Sequence, residues 1–457
     1  MLVNIRRPVV LIGFALLNGA GCDLGDKVDA DASAPYESRY QALPSEPTLL
    51  QGGTVLTGTG ERLENADVLI RDGRIERVGQ QLNGGDARVV DAKGMWITPG
   101  IIDVHSHLGV YPSPSAPAHS DGNEATAPVT AEVWAEHSVW PQDPGFVAAL
   151  AGGVTSLQIL PGSANLIGGR SVILKNVPGR TVQSMKFPGA PYGLKMACGE
   201  NPKSVYGAGK GRAPATRMGN VAGYRRAWIA AADYRDKMAA ADKNEAPMRD
   251  LKLETLAGVL DGEILVHIHC YRADEMAVML DIAKEFGYQI TAFHHAVEAY
   301  KIADLLADSG TCAAVWADRW GSKLEAYDSI RENAAIVDRA GACAIIHSDD
   351  RYGIQRLNQE VAKVMGAAAQ NGIDISPEHA IQWITSNAAK ALGIADQVGT
   401  LEPGKMADVV VWSGTPFSVY SKVERVYIDG ALIFNRQDPS SNPVTDFSLG
   451  TATGGAR

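Results

Sequence analysis

Seven of the ten histidines in this 457-residue chain fall in four short groups: His105-Ser-His107, His267-Ile-His269, His294-His295, and His347 followed by Ser348-Asp349-Asp350. Each group closes an apolar, β-branched run, as in Ile101-Ile-Asp-Val104 before His105 and Cys343-Ala-Ile-Ile346 before His347. Two residues two apart in a strand share one face, so His105 and His107 present both imidazoles to the same side. Neutral imidazoles on a rigid edge suit a divalent metal such as zinc. One His-x-His pair is weak evidence. Repetition at four strand ends is harder to explain if each histidine is merely a satisfied core residue. A carboxylate follows the last group, and the set as a whole suits the binding of a divalent metal.

The elements that must position these groups can be read from the same stretch. Eight apolar runs occupy Ile101–Val104, Val154–Leu160, Ser171–Leu174, Gly193–Ala197, Ile264–His269, Gln289–His294, Thr311–Trp316 and Cys343–His347, and they alternate with helical segments such as Ala273–Phe286 and Ala296–Leu306. Eight such runs predict a (β/α)8 barrel over residues 98–394, with the histidines collected at one end. On either side lie short strand-like runs with turns at Asp72-Gly73 and Asp429-Gly430. Neither piece has enough strands to bury a core by itself, so residues 48–97 and 395–436 are expected to build one small β-sandwich domain from both chain ends.

These motifs resemble the metal-dependent amidohydrolase superfamily. The resemblance rests on Pro99-Gly-Ile-Ile-Asp-Val-His-Ser-His107, the later strand-end histidines, the terminal Asp349, and Gly399-Thr-Leu-Glu-Pro-Gly-Lys-Met-Ala-Asp-Val-Val-Val-Trp412. It covers roughly residues 49–436 and is nearest the imidazolonepropionase-like and Xaa-Pro-dipeptidase-like branch, through His269-Cys-Tyr-Arg-Ala-Asp-Glu-Met276 and Gly353-Ile-Gln-Arg-Leu-Asn-Gln-Glu360. It implies two divalent metals, expected as zinc. His105 and His107 would hold the more buried one, and His269 and His295 the second, in preference to His267 and His294. The bridging carboxylate is either Lys195, after carboxylation, or Glu200, with a slight lean to Glu200. A metal-bridging hydroxide would cleave an amide, peptide or cyclic-amide C–N bond, with Asp349 rather than Asp350 as general acid and base. His267, Arg272 and Arg217 are candidate substrate contacts for a small or dipeptide-like substrate. Deaminases of the superfamily usually carry glutamate three residues after the fifth-strand histidine, where this chain has Arg272, so a mononuclear deaminase is the alternative. A non-catalytic surface-binding barrel is the third reading.

Composition limits the partners. Hydrophobic residues at 46% and charged residues at 21% exclude a wholly disordered chain. A net charge of −10 argues against nucleic acid. Residues 1–22 read as an export signal: Arg6-Arg7, the apolar run Val9–Leu17, then Gly19-Ala-Gly-Cys22, which resembles a lipobox. Cys22 is therefore the expected lipid anchor, residues 23–47 a tether and 437–457 a tail, and the protein is expected in the periplasm or at the cell surface. Membrane contact is expected through that anchor alone. The remaining four cysteines, Cys198, Cys270, Cys312 and Cys343, read as buried thiols, with a disulfide the lesser reading. His119, His137 and His379 read as unpartnered surface residues. A basic stretch containing Lys203, Lys210, Arg212, Arg217, Arg225 and Arg226 is either a receiver for a substrate carboxylate or a solvated loop. Trp134, Trp140 and Pro112–Pro117 are expected as a lid.

Overall fold

The computed structural model describes residues 36–241 and 246–445; Cys22, the export signal, most of the tether and residues 446–457 lie outside the described residues. No described helix is long and apolar enough to cross a membrane.

Five strands open the described chain: β1 (Thr48–Leu56), β2 (Arg62–Arg71), β3 (Arg74–Gly79), β4 (Arg88–Asp91) and β5 (Trp96–Pro99). Eight follow in the central region: β6 (Ile101–Ser106), β7 (Val154–Ile159), β8 (Ile167–Lys175), β9 (Gly193–Ala197), β10 (Leu265–Cys270), β11 (Ala292–His295), β12 (Cys312–Val315) and β13 (Ala344–Ile346). The last three are β14 (Val409–Trp412), β15 (Val423–Ile428) and β16 (Ala431–Asn435). β14 pairs antiparallel with β5, Val409 opposite Pro99, so the two chain ends form one sheet in the order β16-β15-β14-β5-β1-β2-β3, with β4 beside β1.

β6 to β13 form a second sheet in sequence order, a (β/α)8-type barrel. One strand departs from the expected all-parallel pattern. β8 runs antiparallel to both β7 and β9. Only Leu160–Leu166 separates β7 from β8. A parallel return needs a crossover of about a dozen residues or more, so this connection folds back as a hairpin. The β8–β9 connection holds only the short 3-10 turn Val182–Ser184, and the remaining crossovers are helical. Ala273–Phe286 begins with Asp274 and Glu275 against its positive end and stops at Gly287, whose φ of 75° is left-handed.

The barrel interior is polar. Gly193 faces it, and a Cβ there would come within 2.4 Å of Ser171 Oγ and 2.8 Å of His267 Cδ2. The first and last strands are joined by side chains and loop backbone. Asp103, fully buried, accepts hydrogen bonds from Ser348 Oγ (2.5 Å), Ser348 N (3.2 Å) and His105 N (3.1 Å). Asp349 N donates to His105 O at 3.0 Å. Lys175, buried on β8, ties the barrel to the small sheet through Asp408 (3.0 Å) and Asp429 (2.8 Å).

The four cysteines are not free thiols. Cys198 is bonded to Cys270 and Cys312 to Cys343, with Cα–Cα distances of 5.1 and 4.4 Å. Strand register is the cause. His269 lies opposite Ala197, which brings Cys270 beside Cys198, and Ala313 opposite Ala344 does the same for Cys312 and Cys343. Burial and pairing coexist here because adjacent parallel strands supply both. Cys198 and Cys270 are 72 residues apart, so replacing both by serine is expected to lower the unfolding free energy by roughly 2–5 kcal/mol. The urea midpoint measures this, and an unchanged midpoint would rule out a stabilising bridge.

Candidate active site

The parallel strands deliver their histidines to one end of the barrel. His107 Nδ1 donates to Leu160 O at 2.8 Å, since a carbonyl can only accept, leaving the Nε2 lone pair free. That Nε2 stands 3.3 Å from His105 Nε2 and 3.3 Å from Asp349 Oδ1, and His105 Nε2 is 3.6 Å from the same oxygen. His295 Nδ1 lies 3.9 Å from Asp349 Oδ2. The His269 and His295 rings are 4.6 Å apart. His105, His107 and Asp349 form one group whose ligand atoms could hold a metal; His105, His295 and His347 form another. Sequence reasoning counted His347 but gave it no role. Its position directly before Ser348-Asp349 was the available signal.

The donors fit a divalent metal. His269 Nδ1 and Nε2, His295 Nδ1 and His347 Nδ1 are buried without a hydrogen-bond partner. Each such atom costs about 1–3 kcal/mol when left unmatched. Burial pushes the pKa of His105, His269, His294 and His295 well below the ordinary imidazole value, and those of His267 and His347 down to about 3. Neutral imidazoles with convergent, unused lone pairs are what a metal site requires. Burial raises the Asp349 carboxyl, but the nearby His107, His347 and Lys195 outweigh this and hold it below the usual range.

The two fourth-strand candidates separate. Lys195 is buried on β9, its Nζ donating to Pro161 O at 2.9 Å, and its charge acts on the histidine cluster. Glu200 begins a short helix, is part-exposed, and faces Lys323 Nζ at 3.8 Å; neither metal-holding group includes it. Of the two candidates Lys195 is the one inside the barrel, because the chain leaves it through Gly199 before Glu200 is reached.

The expected substrate contacts are placed elsewhere. Arg217 pairs with Glu275 (3.0 Å) and Glu325 (2.5 Å), and Arg272 pairs with Asp274 (2.9 Å) on the outside. His267 is fully buried and bonded to His294. Three more cations of the basic stretch are taken up by other segments: Lys210 by Ala125 O, Arg212 by Thr126 O and Arg225 by Glu285. His379 does have a partner, Asp338 at 2.7 Å. The cavity beside the cluster, about 350 Å³, is lined by His107, Tyr111, Ser115, Asp349, Arg351 and Tyr352 among others. Ser115 brings part of the expected lid segment to it. Trp134 lines a different cavity, and its ring lies under Arg170.

Six buried neutral imidazoles have a consequence for acid stability. Between the ordinary 6.5 and about 3, the unfolded chain binds protons that the native state refuses, so stability is lost as pH falls through that window. Asp103, pushed up to about 7 by burial against its hydrogen bonds, acts in the opposite direction, as one group against six. The Tm of metal-free protein is expected to fall continuously from pH 7 to about 4. A flat profile would show that these imidazoles are not held neutral.

Comparison with known proteins agrees with this geometry. The model of the Amidohydrolase family matches residues 96–433. "Amidohydrolase tasK" of Hapsidospora irregularis is 31% identical over 457 residues, covering 90% of this chain and 46% of that protein, so the chain spans less than half of this relative. An imidazolonepropionase of Mesorhizobium japonicum is 26% identical over 385 residues, covering 77% of this chain and 87% of the relative. The crystal structure of an amidohydrolase from Thermotoga maritima superposes with a TM-score of 0.79 at 38% identity, covering 85% of this chain and 100% of that one. With the histidine cluster, the barrel and the two-ended sheet in place, the chain belongs to the amidohydrolase family, metal-dependent enzymes acting on carbon–nitrogen bonds.

Proposed function

We propose that this chain hydrolyses an amide C–N bond in a dipeptide, an N-acyl amino acid or a cyclic amide, with Asp349 as general acid and base. The observation that carries this reading is the place of Asp349. Its carboxylate is 3.3 Å from His107 Nε2 and also lines the 350 Å³ cavity. It can therefore receive a proton at the cluster and deliver it to a leaving nitrogen in the cavity. Two divalent ions, assigned as zinc, supply carbonyl polarisation and acidified water when bound. His105 and His107 would hold one, His269 and His295 the other, with Lys195 between them as a carbamate. Burial lowers Lys195 to about 8, which leaves part of the amine neutral near physiological pH, the form that adds carbon dioxide.

Arg351 supports a substrate with a free carboxylate. It lines the same cavity, is held by Pro112 O at 3.1 Å, and has no acidic partner among the ion pairs described. Arg272, turned outward to Asp274, offers nothing to protonate a ring nitrogen, which favours hydrolysis over deamination. The two disulfides suit an oxidising compartment and so support export, with a lipid on Cys22 as the membrane tether.

Asp349→Asn is expected to keep its metal and lose turnover by about 10²–10⁴-fold, measured on a panel of dipeptides and N-acyl amino acids with metal analysis alongside. Retained turnover would remove Asp349 from its role. Lys195→Ala is expected to lower the metal content from about two ions per chain to about one. Unchanged stoichiometry would point to another bridge.

A further inference from the structure

Beneath the cluster, three buried imidazoles stand in line. His105 Nδ1 is 2.9 Å from His294 Nδ1, and His294 Nε2 is 2.9 Å from His267 Nδ1. Their exposures are 1%, 0% and 0%. The far end, His267 Nε2, is buried with no partner. With each ring neutral and carrying a single N–H, the line can run in only two directions.

One direction starts at His267. His267 Nδ1–H donates to His294 Nε2, His294 Nδ1–H donates to His105 Nδ1, and His105 Nε2–H donates to His107 Nε2 at 3.3 Å. A neutral His107 accepts there, because its other nitrogen is the donor to Leu160 O. Every N–H in this arrangement has a partner. The other direction places N–H groups on His105 Nδ1, His294 Nε2 and His267 Nε2. It leaves the last one buried and unmatched, and it sets two lone pairs face to face between His105 and His107. A cation placed between those lone pairs makes this second arrangement favourable, and only this arrangement gives His105 a free Nε2.

We propose that metal binding at His105 and His107 reverses the direction of the His105–His294–His267 line, and that His294 is the positioning residue that holds His105 in its ligand tautomer. The inference rests on the metal reading of His105 given above. The proton balance closes: one proton leaves His105 Nε2, two pass along the line, and one is taken up at His267 Nε2 from water, with no change in net charge. Sequence alone made His294 the discarded neighbour of His295. The structure gives it both of its ring nitrogens to use, so it cannot ligate without breaking the line.

Two measurements on the full-length chain test this. Two-bond ¹H–¹⁵N histidine spectra are expected to show His294 and His267 protonated at Nδ1 in the metal-free protein and at Nε2 in the zinc-loaded one. The same pattern in both states would overturn the proposal. Zinc titration is expected to show about 10–100-fold weaker binding at one site in His294→Leu and His294→Gln. His294→Asn, whose amide oxygen stands near the position of Nδ1, is expected to bind within about 3-fold of wild type. A role in packing alone would instead spare His294→Leu, and that result would overturn the proposal while leaving the metal site standing. Failure of the wild-type chain to take up zinc would overturn the metal reading and this inference with it.

Discussion

The Asp103–Ser348 clasp is the contact on which the rest of the site depends. The regular strand ladder runs from β6 to β13, and a buried carboxylate on the first strand meets the chain leaving the last. A short carboxylate taking three hydrogen bonds leaves little freedom in that joint. Its neighbours in sequence are the residues that matter: His105 is two positions beyond Asp103, and Asp349 directly follows Ser348. Asp349 N bonds to His105 O, so closing the barrel also sets the distance between the histidine pair and the acid. Asp103 is pushed toward neutrality by burial, and its three donors resist that shift. Structure and chemistry share this one joint.

The barrel interior is built against ordinary preferences. Six neutral imidazoles, a lysine and a carboxylate occupy space that apolar side chains would fill more comfortably. Several of the nitrogens have no partner, and their convergence on one place is what distinguishes a ligand site from a satisfied polar core. The cost falls on an interior held elsewhere by strong ties. Cys198–Cys270 joins β9 to β10 directly beside His269, Cys312–Cys343 joins the feet of β12 and β13, and the buried Lys175 with Asp408 and Asp429 anchors β8 to the small sheet. These ties hold the strands in the register that keeps the donors convergent.

Much of this was legible along the chain. Strand-end histidines are visible because a period of two and an abrupt polar residue after an apolar run survive in one dimension. All eight candidate strands overlap real ones for the same reason. Charge was the least transferable signal. Arg217 and the basic stretch looked like a receiver for an anion, yet acids and carbonyls from distant segments take up Arg217, Lys210, Arg212 and Arg225. The cation that reaches the cavity, Arg351, sits two residues from Asp349 and was passed over because it belongs to no run.

The sequence by itself determined the strand order, the two-ended sheet, the histidine groups and the terminal aspartate, since each depends on local periodicity and on residues close together in the chain. Tertiary structure alone decided the direction of β8, the pairing of four cysteines, the burial of Lys195 and part-exposure of Glu200, and the line from His105 through His294 to His267. Those outcomes depend on which strands become neighbours and in what register, and the hydrogen-bond ladder sets that across gaps of tens to hundreds of residues. No local pattern records it.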